Sequence, residues 1–124
     1  MQDEPTPTEL IEAVADFLRN EITPAIKGHN AFKLRVGINA LDLVTRQLAL
    51  EEVSDAAEAT RLKQLLGVDG ALVELNRALS EKIAKGEVDL ATPGLAEHLW
   101  QTTMDKLAVD QPNYASYKRE LGDK

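Results

Sequence analysis

One long apolar segment constrains the fold of this chain more than any other feature. Residues 32–50 carry large apolar side chains around almost the whole circumference of a predicted helix. At about 100° per residue, four of its polar side chains fall within roughly 60° of one another. These four residues, called the polar wedge below, are Arg35, Asn39, Asp42 and Arg46. A helix that is apolar nearly all round belongs in the middle of a bundle or at a subunit interface. The wedge must therefore meet solvent, a ligand, a partner or an internal polar network.

The rest of the chain has the apolar spacing of helices. Intervals of three and four residues recur throughout, and no stretch shows the alternation typical of a strand. A length of 124 residues fits one core. We predict an all-α fold: a single-domain antiparallel bundle spanning residues 1–124, with five principal helices, a short C-terminal helix and the second helix at the centre. Residues 1–6 and 122–124 are expected to be flexible.

Capping residues and helix breakers predict where each helix begins and ends. Thr6, Pro7 and Glu9 form a capping box with proline at the first helical position, and the first helix should end between Pro24 and Gly28. The later boundaries follow from the same kinds of signal. The second helix should run from about Asn30 to Glu51, the third from Ser54 or Asp55 to Gly67, the fourth from Asp69 to Gly86, and the fifth from Thr92-Pro93 to Asp110.

Composition excludes several classes of function. The chain has no cysteine, so it has neither disulfides nor thiolate chemistry. Its 14 basic and 21 acidic residues give a net charge of −7, which opposes binding to nucleic acid or anionic membranes. The N-terminal residues are acidic and polar rather than signal-like, and no stretch approaches the roughly 20 apolar residues of a membrane span. We expect a cytoplasmic protein with neither a nucleic-acid nor a membrane partner.

No motif identifies a reaction. Phosphate-binding glycine loops and nucleophile elbows are absent from the sequence, and neither histidine lies in a metal-binding run. We therefore predict no catalytic residue, no metal site and no cofactor. His98 shares a helical face with Thr102 and Asp105, which is typical of a hydrogen-bonded histidine at the surface or at the boundary of the core.

The polar wedge has three possible explanations. In the first, Asp42 neutralises one or both arginines in an ion-paired seam, since the members lie three or four residues apart. In the second, the two guanidinium groups hold an anion or a partner carboxylate. In the third, the wedge is a plain solvent face. If the wedge is buried, Arg35→Ala should lower the melting temperature markedly.

Two further features concern contacts. Gly37 lies inside the apolar second helix, where glycine costs about 1 kcal/mol relative to alanine. We expect another helix to approach it closely, with the same helix of a second subunit as one option, and the alternative is an exposed glycine that the helix tolerates. A homodimer is predicted on this ground. Asp110 marks a helix boundary, and Tyr114 offers an amphipathic ring for the bundle end or for a partner.

Three segments resemble a family of uncharacterised small bacterial all-helical proteins. They are residues 10–18 (LIEAVADFL), residues 35–41 (RVGINAL) and residues 106–114 (KLAVDQPNY). Members of that family tend to be encoded beside aminoglycoside-phosphotransferase-like kinases and acyl-CoA dehydrogenases. The family has no established activity. On the matching positions the resemblance draws attention to Arg35, Asn39, Lys106, Asp110 and Tyr114 without assigning them roles.

Three hypotheses of function follow. The leading one is a non-catalytic accessory protein that docks on a metabolic enzyme, with the kinase-like protein or the acyl-CoA dehydrogenase as the partner that the resemblance implies. The second is a small-ligand-binding bundle in which the wedge arginines hold acyl-CoA or an organic acid. The third is an enzyme of unrecognised type that uses Asp42 or Lys106 as a general base.

Overall fold

A computed structural model describes residues 4–122, and the regular elements of this range are all helical. The predicted all-α class is confirmed. The five α-helices are α1 (Pro7–Phe17), α2 (His29–Leu66), α3 (Leu72–Ala84), α4 (Leu95–Asp110) and α5 (Ala115–Glu120), and α1 is followed by a π-helical segment (Leu18–Ile22) and a 3₁₀ turn (Thr23–Ala25).

The predicted start of α1 is confirmed in detail. The Glu9 backbone N–H donates to Thr6 Oγ1 and the Thr6 backbone N–H donates to Glu9 Oε1, both at 3.2 Å. Pro7 occupies the first helical position, where no N–H is needed. The helical path then continues to Ala25, as the Pro24 and Gly28 signals predicted, but its last turns change from α to π to 3₁₀ geometry.

The predicted second and third helices are one continuous helix. α2 runs for 38 residues through Ser54 and Asp55, a length of roughly 57 Å at 1.5 Å per residue. The expected break is wrong because serine and aspartate are permissive cap residues rather than breakers, and no glycine or proline follows Gly37 until Gly67. Gly67, at φ +69°, follows the last residue of α2 and confirms the predicted stop.

Two predicted caps are displaced. The Asp69 side chain accepts from the Gly70 N–H at 2.8 Å and pairs with Lys63 at 3.0 Å, whereas α3 begins after Ala71. α4 begins after Gly94, at φ +89°, so Thr92 lies in the preceding turn and accepts from the Asp89 N–H there. Both shifts have the same cause, since a short polar side chain satisfies a tight turn as readily as a helix end.

The chain forms two compact units, residues up to 50 and residues from 51 onward. In the first unit, the buried residues of α1 and α2 are Ala15 and Ile38. In the second unit, a leucine core joins α2, α3 and α4. It consists of Leu62, Leu75, Leu79 and Leu95, with Leu65, Leu66, Leu72 and Val88 packed against it.

Gly37 does not have the neighbour that was predicted within the chain. A Cβ placed on Gly37 would meet no other described atom within 4 Å beyond its own helix. The single-domain organisation and the central position of the second helix stay predictions. Most of the chain ends predicted to be flexible lie outside the described residues, and Thr6 is held by the capping box.

Candidate functional site

The polar wedge lies at the surface of the first unit. Arg35 and Asn39 are exposed, while Asp42 and Arg46 are half-buried. The wedge is therefore not buried at Arg35 and Asn39, and the ion-paired seam within it stays a prediction. The buried residues of this unit are Ala15 on α1 and Ile38 on α2, and neither is a member of the wedge.

The ion pair of Asp42 reaches outside the wedge. Arg19, in the π-helical segment, donates to Asp42 Oδ2 at 2.7 Å and to Asp16 Oδ1 at 2.9 Å. The Arg19 and Asp42 side chains are 42% and 38% exposed, so water screens the pair substantially. The π-helical turn changes the direction in which residues 18–22 point, and helical spacing in the sequence gives no sign of this partner.

A surface cleft of about 310 Å³ lies between α1 and α2 beside this pair. Its walls include Arg46 and Thr45 from α2 and Ala15 from α1. Three carboxylates also line it, those of Glu12, Asp16 and Asp42. The acidic lining opposes an anion at Arg46, although Arg19 neutralises part of that charge.

Arg35 contacts an aromatic ring. Its guanidinium carbon lies 6.0 Å from the centroid of the Phe32 ring, at the outer limit of a cation–π contact. Both residues are on the first turns of α2, where Arg35 is exposed and Phe32 is 55% exposed. The predicted large loss of stability in Arg35→Ala therefore has no buried charge behind it.

The secondary candidates lie at the end of α4 and the start of α5. Lys106 and Asp110 are exposed on α4, which ends at Asp110 as predicted. Tyr114 is the residue that precedes α5 and is 52% exposed. Their role as binding residues stays a prediction.

The second unit holds a polar cluster that helical spacing in the sequence does not predict. His98, on α4, is only 2% exposed, and its Nδ1 accepts a hydrogen bond from Arg61 Nε, on α2, at 3.0 Å. Arg61 also donates through Nη2 to Thr102 Oγ1 at 3.4 Å. The guanidinium group is thus fixed by two uncharged acceptors one turn apart on α4.

The pKa of His98 is lowered from its ordinary value of 6.5. Burial of the ring is the main cause, and the positive charge of Arg61 adds to it, while Glu58 opposes it. The neutral ring must present its unprotonated Nδ1 to the Arg61 donor. Its Nε2 therefore carries the proton.

Two clefts adjoin Arg61 within the second unit. One, of about 270 Å³, lies at the N-terminus of α4 and is lined by Arg61, Gln64, Leu65, Pro93, Gly94, Glu97 and His98. The other, of about 490 Å³, is lined by Val53, Ser54, Ala57, Arg61, Glu97, Gln101 and Asp105. Arg61 and Glu97 belong to both linings. The only element of this site visible in the sequence was the shared face of His98 and Thr102, because Arg61 is 37 residues from His98 along the chain.

Neither a metal site nor a membrane span is found among residues 4–122. No three or more histidine or acidic side chains in this range are grouped so that they could hold a metal ion. None of the helices in the same range has the length and apolar content needed to cross a bilayer.

The fold places the chain in the class of small all-α proteins, with helices bearing polar surface clusters and no recognised catalytic motif. A family model gives the finer assignment. Residues 24–114 match the family described as a domain of unknown function (DUF6285), and the chain belongs to it. No curated protein and no solved structure matches the chain.

Proposed function

We propose that this protein is a non-catalytic accessory protein that docks on a metabolic enzyme through α1. The observation that carries the proposal is a row of large apolar side chains left open on that helix. Leu10, Val14 and Phe17 follow one another at intervals of four and three residues and are 48%, 50% and 54% exposed. Spacing of this kind is typical of helices that insert into a groove of a partner.

The charges of α1 specify the chemistry of that groove. The helix carries three acidic residues, Glu9, Glu12 and Asp16, and no basic residue. All three are exposed, and at 100° per residue they lie on the flank of the helix opposite the apolar row, where Glu12 and Asp16 also line the cleft beside α2. The partner surface that fits is therefore a groove with an apolar floor and a basic rim.

The resemblance carried by residues 10–18, 35–41 and 106–114 indicates which enzymes to test. It implies a kinase-like phosphotransferase or an acyl-CoA dehydrogenase as the partner. A cytoplasmic location is part of the proposal.

The test measures binding of the purified chain to each of the two enzymes by biolayer interferometry. We expect one of them to bind with a Kd below tens of micromolar, and we expect Val14→Glu to weaken that binding at least tenfold. Val53→Glu is the matched control, because Val53 is 75% exposed on α2 outside the apolar row. Absence of binding to both enzymes at tens of micromolar, or equal loss in both variants, would contradict the proposal.

A second copy of the chain is proposed as the occupant of a different face. Gly37, Val44 and Leu48 share one side of α2, and the two apolar residues are 40% and 43% exposed. The open space at Gly37 lets a second backbone come close. Light scattering should give twice the mass of a single chain, reduced to one chain by Leu48→Glu. A single-chain mass for the unmodified protein at tens of micromolar would remove the homodimer.

An anion site at the wedge ranks below docking. Arg46 lines the cleft beside α1, which favours a ligand such as acyl-CoA or an organic acid, but the three carboxylates of that cleft oppose it. A melting temperature that rises with a CoA ester, and does not rise in Arg46→Gln, would support this alternative. An enzyme that uses Asp42 as a general base has less support still, because the Asp42 carboxylate is already paired with Arg19 at 2.7 Å.

A further inference from the structure

The charge of Arg61 has no carboxylate partner among the described residues. Its two hydrogen bonds go to His98 Nδ1 and Thr102 Oγ1, and none of the ion pairs in the described part of the chain includes it. Glu58, one helical turn away, accepts instead from Asn76 Nδ2 at 2.8 Å. A partly buried guanidinium that is held by neutral acceptors retains the ability to pair with an added anion.

The 270 Å³ cleft beside Arg61 offers a place for that anion. Gly94 and Pro93, at the N-terminus of α4, form one wall, and a 16-residue helix presents partial positive charge there. The Leu95 N–H donates to the Thr92 carbonyl oxygen at 3.2 Å, and Gly94 has no side-chain oxygen with which to cap the N–H groups that follow. The helix terminus and the guanidinium group therefore act on the same cleft with the same sign of charge.

The rest of the lining indicates the kind of anion. Leu65 and Pro93 provide apolar surface, and Gln64 provides an amide. The volume lies just below the roughly 300–1,000 Å³ of sites for drug-sized ligands. Glu97 also lines the cleft, so the charge that the site can hold is small.

We propose that this cleft binds a small aliphatic monocarboxylate, with the carboxylate on Arg61 and the N-terminus of α4 and the alkyl chain against Leu65 and Pro93. The site is independent of the docking row on α1 proposed above. His98 and Thr102 are positioning residues, because they fix the guanidinium group through its Nε and Nη2 and leave the rest of it to the ligand.

Butyrate is the probe, and the measurement is a nuclear magnetic resonance titration of the ¹⁵N-labelled full chain at constant ionic strength. The Arg61 Nε–H, which is protected by His98, and the backbone amides of Gly94 and Glu97 report on the cleft. We expect saturable shifts of these signals with butyrate, and no such shifts with butylammonium, which matches the chain length and reverses the charge. Inorganic phosphate should bind more weakly than butyrate, since Glu97 repels a second negative charge.

Two variants separate binding from structure. Glu97→Gln removes the opposing carboxylate and should tighten butyrate binding several-fold, a result that a purely structural role for Arg61 does not produce. Arg61→Gln should abolish the butyrate-induced shifts of the backbone amides. The helical circular dichroism signal of this variant shows whether it still folds. If Arg61→Gln does not fold, the Glu97→Gln result decides.

Three outcomes would overturn the proposal. In the first, butyrate at up to tens of millimolar shifts the signals no more than sodium chloride does. In the second, the Glu97→Gln variant binds butyrate no better than the unmodified chain. In the third, the chain binds phosphate in preference to butyrate. None of these outcomes bears on docking through α1, because Leu10, Val14 and Phe17 do not line this cleft.

Discussion

Arg61 and His98, 37 residues apart in the chain, are joined by a hydrogen bond of 3.0 Å from Nε to Nδ1 that connects α2 to α4. The bond requires an unprotonated Nδ1, and burial of the ring keeps it so. His98 thus occupies the interior of the second unit as a neutral acceptor, and the guanidinium charge of Arg61 remains directed toward the neighbouring clefts.

The pH dependence of stability should reveal this histidine. Because the pKa of His98 is lowered in the folded chain, the unfolded chain takes up a proton below pH 6.5 that the folded chain does not. The contribution of His98 is therefore complete above pH 6.5 and is lost as the pH falls through the lower folded pKa. Urea unfolding between pH 7.5 and 5 should show this decline.

Histidine variants provide the check on that decline. His98→Gln should remove most of it, whereas His29→Gln, at the exposed start of α2, should leave it in place. The pKa of Asp69 is also lowered, but this shift changes stability only below the ordinary value of 3.8, which lies outside the measured pH range. An unchanged decline in His98→Gln would contradict the assignment.

Arg61→Ala should destabilise the chain more than Arg35→Ala. Loss of Arg61 leaves the buried His98 Nδ1 without its donor, a cost of about 1–3 kcal/mol. Loss of Arg35 removes an exposed contact with Phe32 that contributes no more than about 1 kcal/mol. Chemical unfolding of both variants measures the difference. A larger loss of stability in Arg35→Ala than in Arg61→Ala would contradict the exposed position of Arg35.

Asp55→Ala tests the continuity of α2. Inside a helix, alanine is the better helix former, so this exposed substitution should raise the free energy of unfolding by up to about 0.7 kcal/mol. Thr6→Ala is the matched control at a true cap and should lower it by about 1 kcal/mol. Comparable losses in the two variants would mean that a helix starts at Asp55.

Leu62→Ala should be among the most damaging substitutions in the second unit. Leu62 is fully buried in the leucine core, and removal of such a side chain costs about 2–5 kcal/mol. Val53→Ala, at a position that is 75% exposed on the same helix, should change stability by no more than about 0.5 kcal/mol. Equal denaturation midpoints for the two variants would contradict the position of the core.

Interactions between residues that are close in the sequence determine much of the secondary structure of this protein. The capping box of Thr6 and Glu9, the helix stop at Gly67 and the end of α4 at Asp110 depend on residues a few positions apart, and the sequence predicts them correctly. The all-α class follows from apolar spacing in the same way. The sequence also singled out the four polar residues of the wedge, two of which line a cleft.

Tertiary structure decided which polar groups meet. Arg19 is 23 residues from Asp42 and Arg61 is 37 residues from His98, so neither pair lies within the three- or four-residue range over which helical spacing predicts contact. Ser54 and Asp55 show that sequence-based prediction has a similar limit for helix boundaries. A cap residue starts a helix only where the preceding chain departs from helical geometry. Burial of His98 depends on how α4 packs against α2 and sets the protonation of the ring, which sequence spacing does not specify.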